Sequence, residues 1–184
     1  MSANWLSIPP GGNYFAGGLV LQNYSGLFWF AKLFTERPVA SVLEIGSCSG
    51  YLAILFSLHC PGQTVTVDTV PFAMSEKQAD LYRRLGITFV CGDALQPELA
   101  ARLVAAQARP RFVFCDNGAK LDEFRLYVPL LDPGDIIAVH DNPTEFPADS
   151  DDVSDLARRH RLERWRREEL DADGTLLAVW QKSI

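Results

Sequence analysis

The sequence predicts an α/β fold of the doubly wound type, with helices on both faces of a mostly parallel, seven-stranded sheet. Three observations predict it. Short apolar runs alternate with helical patterns from Val39 to His140, which is the signature of βαβ units. Several of these runs end in, or just before, an acid: Asp68, Asp93, Asp116 and Asp141. After Asp141 the alternation stops, and Leu162–Leu170 and Thr175–Gln181 flank Asp173-Gly174, which reads as an antiparallel C-terminal hairpin. Together these describe a Rossmann-like sheet closed by a hairpin.

The stretch around which the chain is organised is Val42–Tyr51. The run Val39–Ile45 reads as a buried strand, Gly46-Ser47-Cys48-Ser49-Gly50 as a tight loop, and Leu52–Leu58 as a buried helix. A helix start presents free N–H groups, so a ligand can lie against the backbone at this turn. Glu44 stands inside the apolar run, where an unpaired carboxylate is costly. Either it is a surface acid on an edge strand, or it holds a cationic or hydrogen-bond-donating ligand beside the loop. The dinucleotide pattern Gly-x-Gly-x-x-Gly fails, because Cys48 stands at its second glycine. No Gly-Lys-Ser/Thr follows, so the phosphate-loop pattern fails as well.

The other elements follow in order. Met1–Gly18 reads as loop, with Asn13-Tyr14-Phe15 as a lid or a packed arm. Leu19–Phe34 reads as a helix weakened by Gly26 and ended near Pro38. Thr64–Val67 is a β-branched strand, Met74–Leu85 a helix stopped by Gly86, and Ile87–Cys91 a strand. Pro97 opens a helix that Arg109-Pro110 closes. Arg111–Cys115 is a strand, Asp122–Leu131 a helix, Asp135–His140 a strand and Val153–His160 a helix.

Leu43-Glu44-Ile45-Gly46-Ser47-Cys48-Ser49-Gly50-Tyr51 resembles the first motif of class I S-adenosylmethionine-dependent methyltransferases. The Gly-x-x-x-Gly-Tyr form is most similar to the metal-dependent small-molecule O-methyltransferases of the catechol and caffeoyl-CoA type. The resemblance runs from Val39 to the C-terminus. It implies a cofactor-binding domain over residues 39–184, preceded by an arm and helix over residues 1–38 that serve substrate or oligomer contacts.

The resemblance also implies roles. Asp68, with Thr69 beside it, matches the acid that accepts hydrogen bonds from the ribose hydroxyls. Gly92-Asp93-Ala94 matches the loop that meets the adenine, with Val70 or Leu95 on its face. Glu44 falls near the methionine part of the cofactor, Ser47 and Tyr51 near its carboxylate, and Gly46, Cys48 and Gly50 contribute backbone. Asp116 and the pair Asp141-Asn142 match the ligands of a divalent metal, Mg²⁺ or another hard ion. Such an ion lowers the pKa of a bound hydroxyl.

The pattern departs from the family after Asp116. Position 119, where the resemblance implies a basic Lys, is Ala; Lys120 follows one residue later. One residue turns a side chain by about 100° on a helix. Lys120 is therefore either the base or a solvated lysine. Asn117 is a candidate for orienting substrate, and His140 is a second candidate base. Regular strand alternation points His140 away from Asp141 and favours a packed histidine.

Composition bounds the partners. The 184 residues suit one core, and a net charge of −6 disfavours nucleic acid. The arginines at 158, 159, 161, 164, 166 and 167 interleave with Glu163, Glu168 and Glu169, as on a solvated helix and edge strand. Cys48, Cys60, Cys91 and Cys115 lack close pairing and read as buried free thiols. Neither a signal peptide nor a spanning segment is visible, so a soluble, cytoplasmic protein without membrane contact is expected. The apolar N-terminal helix makes a second copy of the chain a candidate partner. The expectation is an S-adenosylmethionine-dependent O-methyltransferase acting on a hydroxylated small molecule with a divalent metal. The rivals are a metal-independent enzyme acting on nitrogen or a larger acceptor, and a non-catalytic cofactor-binding protein of the same fold.

Overall fold

Val42, Leu43, Glu44 and Ile45 are all buried because their strand lies in the middle of the sheet. The computed structural model describes residues 13–16, 18–20, 22–71 and 74–184. A short antiparallel pair, β1 (Asn13–Phe15) and β2 (Gly18–Val20), precedes the main sheet. That sheet contains β3 (Ser41–Ile45), β4 (Thr64–Asp68), β5 (Thr88–Cys91), β6 (Arg111–Cys115), β7 (Ile136–Val139), β8 (Leu162–Arg164) and β9 (Ala178–Lys182). Their order across the sheet is β5-β4-β3-β6-β7-β9-β8. The first five run parallel, whereas β9 is antiparallel to both β7 and β8. The chain winds outward from β3 through β4 to β5, then returns to place β6 against β3. The switch point lies between β3 and β6, and a crevice opens there beyond the carboxyl ends of the strands.

The helices are α1 (Tyr24–Glu36), α2 (Tyr51–His59), α3 (Glu76–Leu85), α4 (Pro97–Ala105), α5 (Lys120–Tyr127), α6 (Asp151–Arg159) and α7 (Arg167–Ala172). They cover both faces of the sheet. Strand alternation sends Phe112 and Phe114 of β6 into a cluster with Phe30, Phe34 and Phe56. Val113 and Cys115 face the other layer, with Phe124, Tyr127, Phe146 and Trp180. Phe30 meets Phe56 and Phe114 edge-on, with ring centroids 5.1 and 5.2 Å apart. Edge-to-face pairs of this kind add about 0.5–1.5 kcal/mol each beyond the area they bury.

Several elements differ from the sequence expectation. The first helix starts at Tyr24 rather than Leu19, because Gly18–Val20 pairs as a strand and Asn23 caps the helix. The Asn23 side chain accepts a hydrogen bond from Gly26 N at 2.6 Å. Gly26 suits this cap, since a Cβ there would stand 3.0 Å from Asn23 Oδ1. Asn13–Phe15 is a strand, whereas residues 1–12, most of the expected N-terminal loop, lie outside the described residues. The helix expected over Asp122–Leu131 begins two residues earlier, at Lys120, and gives way at Val128–Leu130 to a tighter turn containing Pro129.

The C-terminal pair is antiparallel, but no simple hairpin joins it. Strand β8 stops at Arg164, and Arg166 takes a left-handed φ of +46°. Its guanidinium holds Glu36 of α1 through two hydrogen bonds of 2.8 and 2.9 Å. Helix α7 follows, and Asp173 is its C-cap, accepting a bond from Trp29 Nε1 at 2.8 Å. Contacts to α1 thus replace the expected second half of the strand.

The arginine-rich stretch carries its own counter-charges: Arg158 pairs with Asp155, and Arg164 and Arg167 share Asp149. Only Cys60 and Cys115 are buried thiols; Cys48 and Cys91 are exposed, because both stand at strand ends or in loops on the open rim. No helix among the described residues is long and apolar enough to cross a membrane.

Candidate cofactor and metal site

The loop between β3 and α2 is shaped by backbone that only glycine takes easily. Gly46 has a φ of +94°, and a Cβ there would run into the Asp116 carbonyl at the end of the neighbouring strand. Gly50, at φ +74°, is the N-cap of α2. Cys48 also takes a positive φ, +47°, with its thiol exposed, so its backbone is what shapes the turn. Tyr51 opens α2 and lies against Gly18 of β2, where a Cβ would collide with its ring.

Glu44 is 1% exposed, and neither of its carboxylate oxygens has a hydrogen-bond partner among the described residues. Burial pushes its pKa up to about 8, and the negative charges of Asp116 and Asp68 add to the effect. The Thr66 hydroxyl beside it opposes this shift, but that hydroxyl lies 2.6 Å from Ser47 Oγ. Ser47 therefore turns its hydroxyl into the end of the sheet and offers the crevice only backbone.

Asp68 ends β4 as expected, but its carboxylate is already engaged. Ser47 N and Cys48 N donate to Oδ2 at 3.0 and 3.2 Å, and Val70 N donates to Oδ1 at 3.3 Å. The Thr69 hydroxyl adds a long contact of 3.5 Å to the same Oδ1. The acid thus ties the glycine loop to the neighbouring strand end. Gly92 N bonds back to Asp68 O at 2.8 Å, bringing the third loop alongside. Asp93 caps its own turn, accepting from Leu95 N at 2.9 Å and Gln96 Nε2 at 3.1 Å, and the first of these bonds holds its pKa below the usual range. Ala94 is buried, and its carbonyl accepts from Tyr127 Oη.

The second constellation lies across the switch point. Strand β7 ends at Val139, and Asp141 takes a left-handed φ of +59°. That departure breaks the strand alternation. It is Asp141 that leaves the pattern: His140 keeps the face of Ala138, beside Phe114, and the turn brings both acids to its Nδ1, 3.1 Å from Asp116 Oδ1 and 3.3 Å from Asp141 Oδ1. Ligand atoms of Asp116, His140 and Asp141 all fall within 4.8 Å of one another. Two carboxylates and an imidazole form a donor set suited to a divalent cation. Asn142 follows directly and is buried. Its Oδ1 accepts from Ala148 N at 3.3 Å and braces the following loop.

Lys120, expected as a base or a solvated lysine, is neither exposed nor free. Its side chain is 4% exposed, with Nζ 2.7 Å from Asp141 Oδ2, 2.8 Å from Glu145 Oε2 and 3.7 Å from Asp116 Oδ1. Burial alone would lower its pKa, but the bonds to Asp141 and Glu145 and the charges of Asp116 and Asp141 raise it above the ordinary lysine range. Asn117 donates its backbone N–H to Glu123 Oε2 at 3.4 Å. Glu123 is fully buried, and burial lifts its pKa to about 7.

Sequence reasoning missed Gln22 and Glu145. Gln22 Nε2 donates to Asp116 Oδ2 at 3.0 Å from a position 3% exposed. A polar residue inside the apolar stretch Leu19–Phe34 was the available signal, the same kind that singles out Glu44. Glu145 stands in an acidic loop and had no such signal.

No family model matches the chain, and no curated protein sequence does. Solved structures share its architecture at low identity. The apo structure of CmcI-N160 superposes with a TM-score of 0.74 at 16% identity, over 100% of this chain and 84% of that one. CmcI-D160 with Mg and SAM gives 0.70 at 16% identity, over 100% and 85%. A caffeoyl-CoA O-methyltransferase assigned in Staphylococcus aureus gives 0.57 at 16% identity, over 86% and 83%. The N-methyltransferase NodS from Bradyrhizobium japonicum gives 0.56 at 18% identity, over 87% and 96%. Strand order, the closing antiparallel pair and the extent of these superpositions agree: the chain has the fold of the S-adenosylmethionine-dependent methyltransferases.

Proposed function

We propose that this protein is an S-adenosylmethionine-dependent O-methyltransferase that acts on a hydroxyl of a small molecule, with a divalent cation at Asp116, His140 and Asp141. The observation that carries this reading is the convergence of those three side chains, within 4.8 Å, on the rim where the glycine loop also ends. The methyl donor fits the loop beside it. Gly46 leaves no room for a side chain, and the Glu44 carboxyl beside it has oxygens without a partner among the described residues, free to accept from a donor's N–H groups. A solved structure of the same fold, CmcI-D160, carries Mg and SAM together, which supports a reading that uses both groups.

Most of the catalysis then rests on alignment. The sulfonium of the donor is already activated, and holding nucleophile, methyl and sulfur in line supplies about 7–11 kcal/mol in favourable systems. A bound cation supplies Lewis acidity that favours the ionised hydroxyl. His140, whose Nδ1 lies 3.1 Å from Asp116 Oδ1 and 3.3 Å from Asp141 Oδ1, would hold the cation with them, and the proton of the ionised hydroxyl would pass to solvent. Lys120, whose proton is held by three carboxylates, is a poor base and instead balances the charge of the acids.

Calorimetric titration of S-adenosylhomocysteine, with Mg²⁺ and with EDTA, tests the donor site. Binding in both, lost in Glu44→Ala or Asp68→Ala, supports it; absence of binding in both rejects it. Turnover on a panel of vicinal diols, catechols and amines then tests the acceptor. Methylation of amines alone, undiminished by EDTA, would replace this reading with a metal-independent N-methyltransferase.

A further inference from the structure

Gln22 is held at the heart of the rim by an element that belongs to neither the cofactor loop nor the acid cluster. We propose that Gln22 is a positioning residue that orients Asp116 for the divalent cation, so that metal affinity depends on the segment joining β2 to α1. The inference rests on the metal reading above.

A carboxylate only accepts hydrogen bonds, so the Gln22 amide must present its nitrogen to Asp116. The bond runs from Nε2 to Oδ2 at 3.0 Å and leaves Oδ1 facing His140 Nδ1 at 3.1 Å. One oxygen is thereby tied down while the other faces the centre of the cluster. Gln22 itself has little freedom. It is 3% exposed and immediately precedes Asn23, whose side chain fixes the first turn of α1. A Cβ at Gly26 would stand 3.5 Å from Gln22 Oε1, so the amide oxygen lies close against that turn. Helix α1 is anchored by Trp29, Phe30, Leu33 and Phe34 in the core. On the other side of Gln22, Gly18 of β2 lies against Tyr51, the residue of α2 that directly follows the glycine loop. One short segment therefore touches both halves of the site. Residues that hold a metal ligand in place without touching the ion are worth about 10–100-fold in metal affinity when removed.

The test is Mn²⁺ binding by calorimetry to the wild-type chain and to Gln22→Met, which keeps length and burial but removes the donor. Gln22→Asn, which withdraws the amide by one methylene, serves if the first variant does not fold. S-adenosylhomocysteine binding in EDTA and the thermal midpoint are measured alongside. The expected result is at least tenfold weaker Mn²⁺ binding with donor-site affinity and midpoint unchanged. Equal Mn²⁺ affinity in wild type and variant overturns the role of Gln22 and leaves the metal site standing. Absence of Mn²⁺ binding in the wild type removes the metal reading and this inference with it. A parallel loss of S-adenosylhomocysteine binding and midpoint assigns Gln22 to structure alone.

Discussion

Lys120 Nζ lies 2.7 Å from Asp141 Oδ2, so the acid cluster already contains a cation of its own. The ammonium also reaches Glu145 and, at 3.7 Å, Asp116. A divalent ion held by Asp116 and Asp141 would compete with that ammonium for the same carboxylates.

Lys120→Met should therefore tighten Mn²⁺ binding relative to wild type. Without metal the variant leaves Asp141 Oδ2 without its ammonium partner, at a cost of about 1–3 kcal/mol. Added Mn²⁺ should raise its thermal midpoint more than that of the wild type, because a ligand stabilises the state it binds. A variant that binds Mn²⁺ more weakly than wild type counts against competition and makes Lys120 a support of the site.

Glu44 predicts a pH dependence of stability. Its folded pKa, about 8, stands above the ordinary value of 4.5. The folded chain thus keeps this proton longer than the unfolded chain does. Stability from this group is full below the unfolded value and declines as pH rises toward about 8, by up to about 1.4 kcal/mol per pH unit. Glu44→Gln should remove that decline. Urea unfolding of both proteins at about pH 5 and about pH 8 measures it; parallel slopes would show that Glu44 carries its charge in the folded chain throughout.

At the opposite ends of the strands, Asp135 holds β6 to β7. It is fully buried and accepts from Arg111 N at 2.8 Å, Asp132 N at 2.9 Å and Arg111 Nη1 at 3.0 Å. Asp135→Ala removes the buried partner of the Arg111 guanidinium, leaving it the half-exposed Asp132 at 2.9 Å, and should destabilise the fold by about 3–5 kcal/mol in urea unfolding. Binding of S-adenosylhomocysteine below the transition should be unchanged, since the crevice opens at the other end of the sheet. A loss under about 1 kcal/mol would mean that Asp132 alone satisfies Arg111.

The C-terminal region shows where sequence patterns stop being informative. Leu162–Leu170 has the composition of a strand, yet β8 ends at Arg164 and α7 begins at Arg167. The switch follows from Arg166 bonding Glu36 and Asp173 bonding Trp29, both across more than a hundred residues of sequence. The central strand shows the opposite case. β3, the glycine loop and α2 follow the sequence reading closely, because an apolar run meeting two glycines restricts the backbone locally, whatever packs on it.

The sequence by itself determined the alternation of strands and helices, the glycine loop and the row of acids at the strand ends. These are local properties: periodicity reports which face is buried, and glycine reports where the backbone must turn. The tertiary structure alone decided which side chains share the rim. It brought Asp141 round to His140 and Asp116 through its left-handed backbone, placed Lys120 among three carboxylates and brought Gln22 of the segment before α1 onto Asp116. Such meetings depend on strand order and on departures from regular backbone at element ends, and neither leaves a periodic trace in the chain.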